Sequence, residues 1–386
     1  MLRAACLIIT LFVLPVQIAS AEDRPGNGDN AALKYWQAFA TMPKLSHDQQ
    51  NLLADYAEYP VNPQDAHIRD FVNQADYALS MMHRGAAIRH CDWGISYEDG
   101  VLLLLPQGGA ARQLISLARL RGRMRLEAGQ TKEGIDDLIA AETLARHVSQ
   151  NGGGFIMILV GYATEGRLNE SLALYLPKLD AKTLKDLKAR LDALPPFGTL
   201  PNSLLTCERE SLDWFVRKVK ETKDKEGLLA FMSFINVSEG KPAAGDRARA
   251  FLEECGGTAE GILQFAAKAR PSYDRLAPKL DLPLDEFQKE FERESKAQAG
   301  NPVYKVFFPA LEKVRQLKAR ADVRRALFSA ALAVQMDGKD ALKDHPDPVA
   351  GGAFEYVPFD GGFELRSKYK TQDDKPVTLT VGHRGN

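Results

Sequence analysis

The chain has 386 residues, 50 lysines and arginines against 51 acidic residues, a formal net charge of −1 and 45% hydrophobic residues. A balance this even excludes a general nucleic-acid binder, which needs a basic face, and equally a polybasic membrane-surface protein. The length admits a large core and suggests two domains.

Residues 1–21 read as a cleavable export signal. Arg3 is the charge ahead of an apolar run over residues 6–14, Pro15 breaks that run, and Ala19-Ser20-Ala21 offers the small residues of a cleavage site before Glu22-Asp23. This order is that of a secretory signal peptide. The run is shorter than the about 20 apolar residues of a membrane span. The later apolar stretches at 101–106 and 155–160 are of core length, so no integral span is expected in the mature chain. Cys6 stands at the start of the apolar run, not after it, which argues against lipid attachment there. The expectation is an exported protein of the periplasm or the extracellular space.

Removal of the signal leaves Cys91, Cys207 and Cys255. An odd number permits one bridge and leaves one thiol over. Three pairings stay open. Cys207–Cys255 is the candidate disulfide because both lie in the same half of the chain, and closing that loop would stabilise by about 4 kcal/mol. Three buried, unpaired thiols are the other reading.

Helical spacing governs most of the mature chain. Asn30 can cap a first helix that buries Leu33, Trp36, Phe39 and Ala40. Region 64–89 carries Ile68, Phe71, Ala75, Ala78 and Met82 at spacings of three and four, and 91–109 reads as an irregular loop. Residues 110–149 form the clearest helical hairpin, turning at Gly129-Gln130-Thr131 with Thr131 as cap. Helices near 155–175 and 181–193 come after the Asn151–Gly154 run, which reads as a flexible connection. Three prolines over 194–202 mark the best boundary. It divides an N-terminal helical half, 22–195, from a C-terminal helical half, 196–345. That second half holds helices near 203–222, 226–236, 243–255, 258–269, 284–299 and 303–336, the last burying Leu311, Val314, Leu317, Ala321, Leu327, Ala331 and Val334. A tail, 346–386, alternates apolar and polar at 354–357 and 363–366 about a loop with Asp360-Gly361-Gly362, a β-hairpin pattern. Residues 377–381 offer a further strand, and 383–386 are expected to fray.

Three resemblances attach to these residues. Gly122, Gly129, Leu138 and Ala141 resemble the packing positions of a tetratricopeptide repeat, with Gly134 as the small residue of the second helix and no second copy one repeat further on. A lone unit implies a helical hairpin packed within something larger. His90-Cys91-Asp92-Trp93-Gly94, Leu104-Leu105-Pro106, the 110–149 hairpin and the closing hairpin look like uncharacterised secreted helical proteins of planctomycete-type bacteria, which implies architecture alone. Asp347-Pro348, Gly351, Phe354-Glu355-Tyr356 and Gly361-Gly362-Phe363 are similar to the C-terminal region of type II secretion pseudopilins. The fold expected is mainly α, a helical bundle or irregular α–α array with tetratricopeptide-like packing, closed by a small C-terminal β-hairpin.

His90, Cys91, Asp92 and Trp93 are the candidate binding residues. Cys, His and Asp all bind zinc, with His83 seven residues upstream, but adjacent residues rarely converge on one ion, and Cys91 and Trp93 equally suit anchoring a loop. Cys91 could be a catalytic thiol if a histidine came near it in space. Glu208, Glu210 and Asp213 cluster acids on one helix, where acid–base chemistry competes with a salt-bridged face. Asp340, Asp344, Asp373 and Asp374 could meet calcium, without the spacing of an EF-hand. No metal and no cofactor are expected. The reading is an exported binding or structural protein whose partner is another envelope protein or a small ligand in a helical groove. The alternatives are a hydrolase whose site is assembled from distant side chains and an accessory protein of a secretion system.

Overall fold

The structure, a computed structural model, describes residues 29–47, 49–50, 53, 65–150, 153–222, 224–237, 244–371 and 373–384. The export signal expected over residues 1–21 lies outside them, as do Asn151 and Gly152.

Helix α1 (Ala31–Thr41) is capped by Asn30, whose side chain accepts the Ala32 N–H at 3.1 Å. It is followed by α2 (Ala66–Gln74) and α3 (Asp76–Ala86). The expected stripe of Ile68, Phe71, Ala75, Ala78 and Met82 is buried along these two helices. The face of α1 differs from expectation. It buries Ala31, Ala32, Tyr35 and Ala38, while Leu33 is 41% exposed. The reason is the close approach of α3, where a Cβ on Gly85 would fall 2.6 Å from the Tyr35 ring.

The hairpin comprises α4 (Pro106–Glu127) and α5 (Thr131–Ser149). Helix α4 starts earlier than expected because Pro106 occupies the first helical turn, where a missing N–H costs nothing. Thr131 lies inside α5 rather than capping it, and Gln130 before it makes no side-chain cap bond. The two helices cross at Gly122 and Gly134. A Cβ on Gly122 would meet the Gly134 oxygen at 3.0 Å, and one on Gly134 would meet the Gly122 oxygen at 2.8 Å.

Helices α6 (Gly154–Ala173) and α7 (Ala181–Asp192) complete this part. After the proline-rich segment, α8 (Leu200–Ser203) passes through a π turn, Leu204–Glu208, into α9 (Arg209–Glu221). Then come α10 (Lys225–Val237), α11 (Ala244–Glu254), α12 (Ala259–Ala269), α13 (Pro271–Leu276), α14 (Leu284–Ala297), α15 (Pro302–Phe307) and α16 (Ala310–Asp337). The single helix expected over 303–336 is broken ahead of Ala310, since Pro309 has no N–H to continue it.

Two hydrophobic clusters result. One gathers α1 to α5, α7 and the C-terminal sheet; the other gathers α8 to α15; α6 and α16 contribute to both. Helix α16 buries Leu311 and Val314 in the second cluster and Leu327, Phe328 and Ala331 in the first, while Leu317 is only half-buried. The sheet is antiparallel in the order β1 (Glu355–Phe359), β2 (Gly362–Lys370), β3 (Pro376–Gly382). Phe363, Leu365 and Ser367 alternate inward along β2, as the period of two requires. Buried Asp347 fixes the turn before the sheet by accepting the Val349 and Ala350 N–H groups at 2.9 Å and the Ser367 hydroxyl. His383 and Arg384 do not fray. The His383 ring packs edge-on to Tyr175 at 5.7 Å, and Arg384 pairs with Glu364 at 2.7 Å. The architecture is mainly α with a small C-terminal antiparallel sheet. Among the described residues no helix is long and apolar enough to cross a membrane.

Candidate functional site

The loop from His90 to Trp93 is extended, so its side chains alternate. Cys91 and Trp93 enter the core at 2% and 4% exposure, while His90 and Asp92 face outward to the rim of a cavity of about 500 Å³ that Tyr97 and Thr206 share. The four therefore do not converge on one point. The loop is clasped to α1: the Asn30 amide donates to the Asp92 carbonyl at 2.8 Å and accepts the Asp92 N–H at 2.9 Å, and the Ala31 N–H donates to the His90 carbonyl at 2.8 Å. Trp93 stacks on Tyr35 and on Phe39 and donates its indole N–H to the His147 carbonyl at 2.9 Å. The His147 ring is buried, bonded through Nδ1 to the Tyr35 hydroxyl at 2.9 Å, and burial pulls its pKa down to about 4.

The candidate disulfide is not formed: Cys91, Cys207 and Cys255 are all free. Cys207 lies in the π turn against Gly154, and Cys255 follows the end of α11 inside the second cluster. Burial pushes all three thiols up to about 12. The acids of α9 are engaged, Glu210 with Arg217 at 2.7 Å and Asp213 with Arg270 at 2.8 Å, while half-buried Glu208, in the π turn, accepts the Phe155 N–H at 2.9 Å. His83 bonds to buried Asp137 at 2.7 Å, an oxygen pair that also receives Arg121 and Arg125. Asp340 pairs with Lys343, and Asp374 with Lys370. Among the described residues no three His, Cys, Asp or Glu side chains are placed to hold a metal ion.

Chemistry concentrates elsewhere, in a cavity of about 460 Å³ between α5, α6, α7 and α16. Its floor is polar. Helix α5 contributes Glu142 and Arg146 one turn apart, and α6 contributes Glu165 and Asn169 at the same spacing, so each pair shares one helix face. Helix α16 adds Arg325, and its next three turns bring Ser329, Leu332 and Met336 to the wall. Glu142 and Glu165, at 1% and 2% exposure, both accept from Arg146 Nη2 at 3.1 Å. Glu165 also takes Arg325 at both oxygens, at 3.1 and 2.7 Å. The Arg325 guanidinium further meets Asp322 at 3.3 Å.

The proline-rich segment takes part in this floor. Phe197 lies 4.9 Å from the guanidinium carbon of both Arg146 and Arg325, and the Pro195 carbonyl accepts from Arg146 at 3.1 Å. Cation–π contact of this kind contributes about 0.5–2 kcal/mol. Two acceptors stay without partners: Glu142 Oε2 and Asn169 Oδ1 are buried and make no hydrogen bond. Burial first, and the neighbouring Glu165 charge second, push the Glu142 carboxyl well above its ordinary value, against the pull of Arg146 and Arg325.

None of these floor residues is singled out by motif. The available signal is an acid inside an apolar run: Glu142 follows Leu138-Ile139-Ala140-Ala141, and Glu165 interrupts the apolar α6. Such residues are almost never buried unless paired, so each announces a partner without naming it. In comparisons with protein families, with curated proteins and with solved structures, none matches this chain.

Proposed function

We propose that the chain is a binding protein for a small organic ligand held in the cavity between α5, α6, α7 and α16, and that it works outside the cytoplasm. One residue carries this reading: Glu142 lines the cavity, and its Oε2 is buried without a partner. Leaving a buried polar atom unpaired costs about 1–3 kcal/mol, more when it is charged, and a ligand that supplies a donor removes that cost. The cavity volume falls within the range of about 300–1,000 Å³ usual for small-molecule sites. Binding is preferred to hydrolysis because Glu165, the second carboxylate, is engaged at both oxygens by arginines and has no free role as base or nucleophile. The leader pattern of residues 1–21 supports export.

Ligand-observed NMR with a mixture of six-carbon amines, alcohols, sugars and carboxylic acids tests the pocket. Saturation transfer to at least one class is expected with the wild-type protein and none with Ser329→Trp, a substitution at an exposed cavity residue. Transfer to no class, or transfer unchanged in the variant, would sink the reading. Expression with the leader intact should yield an exported product whose mass begins at Glu22.

A further inference from the structure

The geometry points to an organic cation as the ligand: an ammonium group set against Glu142 and Asn169, with an apolar body along Leu332 and Met336. This rests on the reading of the cavity as a ligand site and gives it a substrate class. Four observations carry it. First, Glu142 Oε2, once its carboxyl is ionised, and Asn169 Oδ1 are both unpaired buried acceptors, so the partner they lack is a donor, and an ammonium carries up to three. Second, the cavity lining holds five acidic side chains against three basic ones.

Third, α7 and α16 end at the cavity, with their last residues Asp192 and Asp337 both lining it. Helix C-termini carry partial negative charge and favour cations. Fourth, the floor arginines are already committed. Arg146 serves Glu142 and Glu165, Arg325 serves Glu165 and Asp322, and both stack on Phe197. Arg146 Nε is an unpaired donor at the same floor, the group that an anionic ligand would use instead.

Cation binding couples to a proton. The groups around Glu142 are Arg146 on its own helix, Glu165 on α6, Arg325 and Asp322 on α16, Lys188 and Asp192 on α7, and His345 beyond α16. Burial and Glu165 favour the neutral carboxyl in the empty cavity, whereas an ammonium favours the carboxylate. Glu142 then releases its proton as the cation enters, and the alkylammonium stays charged throughout neutral pH.

Isothermal titration with n-hexylamine, 1-hexanol and hexanoate separates the possibilities. The amine is expected to bind at least about tenfold more tightly than either companion at pH 8, and several-fold more weakly at pH 6, with proton release seen as a dependence on buffer ionisation enthalpy. Glu142→Gln should remove most of the amine's advantage and leave 1-hexanol unchanged. Hexanoate or hexanol binding as tightly as the amine overturns the cation assignment while leaving the pocket in place. Failure of all three ligands to bind overturns both. Because the series is read on the wild-type protein, a variant that failed to fold would not rescue the assignment.

Discussion

Glu142 and Glu165 lie on neighbouring helices and accept hydrogen bonds from the same nitrogen, Arg146 Nη2, each at 3.1 Å. The sharing is unequal. Glu165 gains a second, bidentate arginine from α16, whereas Glu142 keeps one buried oxygen with no donor. Burial and the neighbouring Glu165 charge push the Glu142 carboxyl toward its neutral form, while both oxygens of Glu165 are met by arginine.

Glu142→Gln should stabilise the protein in a pH-dependent way. The wild-type carboxyl is pushed from its ordinary 4.5 up to about 7. The unfolded chain therefore ionises first, and stability falls as pH rises between those values. The amide cannot ionise, so the melting-temperature difference between variant and wild type should be small below pH 4.5 and grow to a plateau above pH 7. A gain on the order of 3 kcal/mol is expected at the plateau. Thermal melts from pH 4 to 8.5 measure this, and a difference independent of pH would count against it.

Arg325 compensates a carboxylate of 2% exposure from 160 residues away in the chain. Arg325→Met should cost about 3–5 kcal/mol, because a buried charge is left short of partners. Glu165→Gln in the same background should restore much of that loss, giving a coupling energy well above the about 0.5 kcal/mol of independent sites. Chemical denaturation of the two single variants and the double variant closes the cycle. Strict additivity would mean that the pair does not act as described.

His147 supplies the acid limb. Its pKa falls from 6.5 to about 4, first through desolvation, so the folded protein holds the ring neutral. Below pH 6.5 the unfolded chain takes up a proton that the folded one refuses, and stability drops progressively until pH 4, by about 3 kcal/mol in all. NMR titration should place the His147 ring transition near pH 4, and His147→Gln should flatten this limb of the stability profile. A ring titrating above pH 6 would contradict the buried, neutral assignment.

Elements whose partners lie close in sequence were legible. The period of two over β2, the Asn30 cap and the stripe from Ile68 to Met82 all follow from local spacing. The face of α1 did not, because Leu33 and Tyr35 compete for the core and only the approach of α3 at Gly85 decides between them. The break at Pro309 was open to reading from proline chemistry alone, yet the apolar spacing on either side masked it. At the site, Glu142 and Glu165 each look like a polar fault in an apolar helix. Their meaning depends on Arg325 and Phe197, which reach them only through the tertiary fold. The candidate residues His90 to Trp93 drew notice as a cluster in sequence, but an extended loop turns adjacent side chains to opposite sides.

The approach of α3 to α1 gives a paired test of packing against propensity. A Cβ on Gly85 would lie 2.6 Å from Tyr35 Cε1, in a ring that is fully buried and held by His147. Gly85→Ala must displace that ring, and a cost of about 1–3 kcal/mol is expected from overpacking despite the better helix propensity of alanine. Gly109, within α4, meets nothing within 4 Å. There the same substitution should express only propensity and stabilise by about 0.5–1 kcal/mol. Urea denaturation of both variants measures the contrast. Tyr35 also couples the clash to the His147 ring, so Gly85→Ala should raise the pH at which His147 takes up its proton, whereas Gly109→Ala should leave it where it is. Equal effects of the two alanines would show that the α1–α3 contact yields more readily than its geometry implies.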